Sequence, residues 1–186
     1  MKVLIIIPAY NEEESIEKVI NNLKQNYSQY DYVIINDGSH DHTSEICHKN
    51  KYKIIDLPVN LGLTGAFQTG LKYAYKKGYD YAIQFDADGQ HLPEYIPAMV
   101  DKIEEGYDMV IGSRFVEKPK PRSLRMLGSR VISTAIKITT GVHIADPTSG
   151  MRLFNKTLIR EFAENINYEP EPDTVSFLIK QGVKVA

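Results

Sequence analysis

Asp86-Ala87-Asp88 places two carboxylates at i and i+2, directly after the run Tyr81-Ala82-Ile83-Gln84-Phe85. Through a turn both can converge on one hard cation, and Gln90 can add an amide oxygen. Mg2+ or Mn2+ held by so few protein oxygens keeps room for substrate phosphates. An ordinary Asp-rich turn uses the same residues for their backbone geometry alone. The position just past a strand is what favours the metal. Asp37-Gly38-Ser39 is a second turn of this kind. In α/β folds a carboxylate there meets a nucleoside hydroxyl or a base edge, although by itself the tripeptide is a tight turn. A third polar loop, residues 8–13, carries Tyr10, Asn11 and Glu12.

These loops need elements to hold them. Short β-branched runs alternate with helical patterns, which predicts parallel βαβ units. Strands are expected over residues 3–7, 32–36, 52–56, 81–85 and 109–111. Ile16, Val19, Ile20 and Leu23 recur at i, i+3, i+4, i+7, one face of a helix, and Ile96, Met99, Val100 and Ile103 repeat the spacing. Leu124, Leu127, Val131, Ala135 and Ile138 predict a longer helix with that stripe inward; Val175, Leu178 and Ile179 predict a last one, closed by Gly182. In an open parallel sheet the loops after the first, second and fourth strands gather at the carboxyl edge, where such folds bind ligands.

Composition narrows the classes. At 186 residues one domain is expected, with 42% hydrophobic and 25% charged residues as in ordinary soluble chains. A net charge of -2 argues against nucleic acid as a partner. The single cysteine, Cys47, allows no intrachain disulfide and fits a reducing, cytoplasmic setting. The apolar run Val3-Leu4-Ile5-Ile6-Ile7 ends at Pro8, too short for a secretory leader. The last residues, Gly182-Val183-Lys184-Val185-Ala186, read as a turn and the opening of a strand, as if the domain were cut there.

Six motifs then appear in order: Pro8-Ala9-Tyr10-Asn11-Glu12-Glu13, Asn36-Asp37-Gly38-Ser39, Asn60-Leu61-Gly62, Asp86-Ala87-Asp88-Gly89-Gln90, Gly112-Ser113-Arg114-Phe115 and Asp146-Pro147-Thr148-Ser149-Gly150-Met151-Arg152. Together they resemble family 2 of the inverting glycosyltransferases, close to the dolichyl- and polyprenyl-phosphate sugar synthases. The resemblance covers nearly the whole chain and implies one catalytic domain over residues 1–186. It implies an α/β GT-A fold, Rossmann-like, with a mostly parallel central sheet flanked by helices. It further implies that Pro8, Ala9, Tyr10 and Glu12 line the base and ribose of a nucleoside-diphosphate sugar, with Asp37 on the base or ribose. Asp86, Asp88 and Gln90 would surround a divalent metal bridging the diphosphate, with Ala87 lining the nucleotide-sugar site and Arg114 beside the donor or acceptor phosphates. Gly62 and Gly65 would let a helix N-terminus approach the nucleotide.

The chemistry is consistent with this. Breaking the anomeric bond to a nucleoside diphosphate releases negative charge, which a clamped cation and Arg114 would stabilise as it develops. A hydroxyl acceptor, such as a glycan, needs a general base; a lipid phosphate is already an anion and needs none. The base candidates are Asp146, Glu171 and Asp173, the last two in an acidic, proline-containing run that also suits a helix start. Arg122, Arg125 and Arg130 resemble the acceptor-phosphate arginines of the lipid-phosphate synthases, and a solvated basic helix face has the same composition. A lipid acceptor implies peripheral contact with the cytoplasmic face of a membrane.

Other classes fare worse. A dinucleotide oxidoreductase needs Gly-x-Gly-x-x-Gly after the first strand, and residues 8–13 contain no glycine. A sugar-1-phosphate nucleotidyltransferase needs a basic, glycine-rich loop there, whereas this one is acidic. A silent nucleotide-sugar binder would be expected to have lost Asp86, Asp88 or Arg114, all of which are present.

Overall fold

The computed structural model describes residues 1–88, 92–113, 124–165 and 172–186, with residues 124–129 and 172 described by their backbone alone. Among these, six strands form one sheet: β1 (Val3–Ala9), β2 (Asp31–Asn36), β3 (Ile54–Asp56), β4 (Tyr81–Gln84), β5 (Met109–Ile111) and β6 (Arg152–Asn155), in the order β3-β2-β1-β4-β6-β5. β1 pairs in parallel with β2 and β4, and β2 with β3. β6 runs antiparallel to both its neighbours. Residues 184–186 lie along the outer side of β5, with a parallel bridge between Met109 and Val185.

Strand β1 has apolar side chains on both faces because both faces are covered, as expected of a central parallel strand. Ile5 and Ile7 enter one core with Ile16, Val19, Ile20 and Leu23 of α1 (Ile16–Asn26) and Ile96, Met99, Val100 and Ile103 of α4 (Ile96–Glu104). Cys47 of α2 (Thr43–Lys49) joins the same core. Leu4 and Ile6 enter the other, against Ala66, Phe67 and Leu71 of α3 (Gly62–Lys77) and Leu158, Ile159 and Phe162 of α6 (Lys156–Glu164). Each such aliphatic, once buried, contributes roughly 1.5–3 kcal/mol. The two cores lie on opposite faces of the sheet, so they fix its plane and hold its edges in place.

Several elements differ from the sequence expectation. β1 continues through Pro8 and Ala9, which pair with Ile35 and Asn36, so the first loop begins at Tyr10. α2, β6 and α6 have no counterpart among the predicted elements. α5 (Leu124–Thr140) forms, but two residues of its expected stripe face outward: Val131 is 61% and Ile138 79% exposed. Ser133 and Ile136 are buried instead, with Ile132 half-buried beside α7 (Pro172–Lys180). Two apolar stripes share this helix, and the packing against α7 selects the other one.

Candidate functional site

Because β1, β2 and β4 are parallel, the loops after them leave the sheet at one edge. Pro8, Ala9, Tyr10, Glu12, Asp37, Asp86, Ala87 and Asp88 line one pocket of about 230 Å³ there, joined by Leu63 and Ala66 of α3. Asp37 is buried, Asp86 half-buried and Asp88 exposed, so the carboxylates step outward from the sheet.

The second loop is held by hydrogen bonds and close backbone packing. Asn36 anchors it to β3: Nδ2 donates to Asp56 Oδ1 at 2.7 Å, and Oδ1 accepts from the Ser39 N–H at 3.2 Å. Gly38 sits at φ 68, and a Cβ there would be 2.8 Å from the Asn60 nitrogen, which only glycine avoids. The Asp37 N–H donates to the Ala9 carbonyl at 2.8 Å, while Asp37 Oδ1 accepts from the Leu61 N–H at 2.7 Å. Asp37 thus ties β1, β2 and the start of α3 together at the pocket floor.

The first loop is laced to the second. Asn11, at φ 55, donates its N–H to Ser39 Oγ at 3.0 Å and accepts from the His40 N–H at 2.9 Å. The Glu12 N–H donates to Thr43 Oγ1 at 2.8 Å, and the Glu12 carboxylate accepts from Ser15 Oγ. The Glu13 N–H donates to Asp41 Oδ2 at 3.1 Å. Burial pushes the Asp41 carboxyl up, but hydrogen bonds from Thr43 and Glu13 outweigh it and hold the group below its usual range. The same holds for Asp56, where Asn36, Ser44 and His48 outweigh desolvation.

The antiparallel β6 brings in the remaining loop. Gln84 at the end of β4 pairs with Arg152 at the start of β6, so residues 146–151 arrive at the edge where residues 85–88 depart. Arg152, buried, donates from Nε to the Ser149 carbonyl and from Nη2 to the Pro147 carbonyl, each at 3.1 Å. Asp146 is 1% exposed and accepts from Thr148 Oγ1 at 3.1 Å. Sequence reasoning assigned Arg152 no part; its guanidinium braces the Asp146 loop, a duty visible only once β6 is placed. A helix start near the nucleotide was implied over residues 60–70, but Leu63 and Ala66 were not singled out, because Gly62, Gly65 and Gly70 break the apolar stripe that would mark the inward positions of α3.

The remaining predicted residues lie elsewhere. Gly65 is in the first turn of α3, where a Cβ would overlap Leu61 Cβ, so its role is close packing of that turn. Asp173 lies in the first turn of α7 and lines a separate 630 Å³ groove with Ile132, Ile136 and Phe177, which shares no residue with the pocket at the sheet edge. Arg130 is exposed on α5; Arg125 lies in the same helix, its side chain outside the description. Gln90, Arg114, Arg122 and Glu171 fall outside the described residues. Among the described residues no group of three or more His, Cys, Asp or Glu is placed to hold a metal. Two carboxylates on a pocket wall, with oxygen donors alone, suit a cation that completes its shell with phosphate and water.

This architecture defines a class. The fold matches glucosyl-3-phosphoglycerate synthase from Mycobacterium tuberculosis, solved with Mn2+, uridine-diphosphate-glucose and phosphoglyceric acid, at a TM-score of 0.66 and 20% identity. That match covers 84% of this chain and 57% of that one, and it shows a GT-A fold. The chain belongs to glycosyl transferase family 2, whose sequence model matches residues 4–162, and it is a glycosyltransferase. A UDP-N-acetylglucosamine–dolichyl-phosphate N-acetylglucosaminyltransferase of Methanococcus voltae is 35% identical, over 88% of this chain and 73% of the relative. An undecaprenyl-phosphate mannosyltransferase of Micrococcus luteus is 31% identical over 86% and 69%. A polyprenol monophosphomannose synthase of Mycolicibacterium smegmatis is 27% identical over 86% and 64%.

Proposed function

We propose that the chain transfers a sugar from a nucleoside-diphosphate sugar to a polyprenyl phosphate, with inversion, using Mg2+ or Mn2+ at Asp86 and Asp88. The observation that carries this reading is the single pocket in which Tyr10, Asp37, Asp86 and Asp88 meet from three separate loops. Tyr10, 44% exposed, offers a ring face to a base, while Asp37 offers a buried carboxylate to a base or ribose donor. Asp86 and Asp88 would hold a divalent cation, which would offset charge on the leaving diphosphate. The acceptor then attacks the anomeric carbon from the face opposite the breaking bond. The names of the three relatives all specify lipid phosphates as acceptors, which favours that class here. A phosphate nucleophile needs no general base, so Asp146, buried and bonded within its own loop, orients the loop and takes no proton.

A lipid acceptor requires a surface that meets the bilayer. Val131 and Ile138 are exposed on α5, which also carries the exposed Arg130 and Lys137, and this mixture of apolar and cationic side chains supports peripheral docking on anionic lipid. No described helix is long and apolar enough to cross a membrane.

Calorimetric titration of UDP, GDP and dTDP into wild type and Asp88→Ala, with Mn2+ and with chelator, tests the site. Wild type should bind one nucleotide at least about tenfold more tightly with metal, a gain lost in Asp88→Ala. Equal affinities in all four conditions would rule the metal assignment out.

A further inference from the structure

The wall of the pocket that carries Tyr10 and Glu12 has no strand or helix of its own. It is held by the facing loop instead: three successive N–H groups, of Asn11, Glu12 and Glu13, donate to side chains of Ser39, Thr43 and Asp41. The facing loop reciprocates, with the His40 N–H on Asn11 Oδ1 and the His42 N–H on Glu13 Oε2 at 2.9 Å. His42 Nδ1 reaches the same Glu13 oxygen at 2.7 Å. Of these six contacts, this last joins two groups that titrate.

We propose that Glu13 and His42 are positioning residues for the donor, their contact keeping the loop of residues 10–13 in the shape that receives a nucleoside-diphosphate sugar. The proposal rests on the donor-pocket reading and adds a pH dependence to it. The His42 backbone N–H, then its ring, hold the Glu13 carboxyl below its usual range. The His42 imidazole is lifted, by the Glu13 hydrogen bond first and then by the charges of Glu13, Glu45 and Asp41. Glu13 faces His42 from the first loop, while Asp41 and Glu45 share its own side; all three are acidic and favour the imidazolium.

The sign follows from these directions. A raised imidazole contributes fully below its ordinary range and stops contributing as pH climbs through the raised one. A depressed carboxyl contributes above its ordinary range and stops as pH falls through the lowered one. The contact is therefore strongest in mildly acidic to neutral solution and weakens on the alkaline side. Neutral imidazole can still donate from Nδ1, so the loss is partial. Both groups are exposed, and solvent screens them. The effect on donor affinity is about two- to fivefold, smaller still in high salt.

The test uses UDP-N-acetylglucosamine and GDP-mannose with Mg2+, because bridging phosphates do not titrate near neutrality. Affinities are measured for wild type, His42→Ala and His42→Asn at about pH 6 and about pH 8. Wild type should bind about two- to fivefold more weakly at the higher pH. His42→Ala should be weaker at both. His42→Asn, whose amide donates to Glu13 without titrating, should recover the affinity and flatten the pH response. A His42→Ala protein with wild-type affinity and pH profile overturns the proposal while leaving the donor reading intact. A wild type that binds neither sugar nucleotide overturns both.

Discussion

Asn11 shows how much one residue of the site depends on backbone geometry. At φ 55 it occupies the left-handed region, where Asn and Gly are tolerated and a β-carbon otherwise costs about 1–2 kcal/mol. Its side chain caps the His40 N–H, and its neighbours Tyr10 and Glu12 line the pocket. Asn11→Ala should therefore lower the melting temperature by about 4 °C and weaken donor binding, whereas Asn11→Gly should restore the backbone and recover most of the stability. Differential scanning calorimetry of the two variants decides it; a glycine variant as unstable as the alanine one would show that the lost acceptor, and not the backbone, is responsible.

At the scale of elements, α3 bears the tightest constraint. A Cβ at Gly70 would overlap Ile6 Cγ2, and Ile6 is fully buried in β1, so neither side can give way. Gly70→Ala should lift the helix and cost about 1–3 kcal/mol. The urea midpoint should fall at unchanged m, and donor affinity should fall with it, since Leu63 and Ala66 ride on the same helix. An unmoved midpoint would mean that α3 does not pack as closely as described. The glycines that allow this packing also interrupt the apolar pattern of α3, so the sequence carried the start of that helix through its resemblance to the family and did not mark its inward face. Strands β1, β2 and β4 were legible because β-branched runs end abruptly in polar loops, and α1 and α4 because each has a single apolar stripe. α5 has two, so periodicity alone could not choose between Val131 and Ile138 on one side and Ile132 and Ile136 on the other. β6 is four residues long, starts with a charge and ends at Asn155, and nothing local marks it as a strand. The pocket residues were readable one loop at a time; Leu63, Ala66 and the bracing by Arg152 required elements that were not.

The whole molecule has a side that water should not favour. Ile138 and Val131 stand exposed on α5 among Arg130 and Lys137, on a chain whose net charge is -2. If this side rests on lipid, wild type should co-sediment with vesicles containing about one third phosphatidylglycerol and not with phosphatidylcholine alone. Ile138→Glu should cut the bound fraction about tenfold, the loss expected for one aliphatic side chain that no longer enters the interface. A wild type that stays in the supernatant with both lipids rules that docking out. The seat of β6 has a different consequence, for the making of the protein. It is the last of the described strands in sequence yet lies between β4 and β5, which are not neighbours without it. During synthesis the first four strands can assemble early, leaving β4 with a bare edge, while β5 has no partner until residues 152–155 emerge. Closing so long a span is slow, and a bare edge is where wrong pairing starts. A half-made chain would hold the pocket at the ends of β1, β2 and β4 but not the loop of residues 146–151 at the same sheet edge, and on the proposed reading it would be unable to transfer a sugar before β6 is in place.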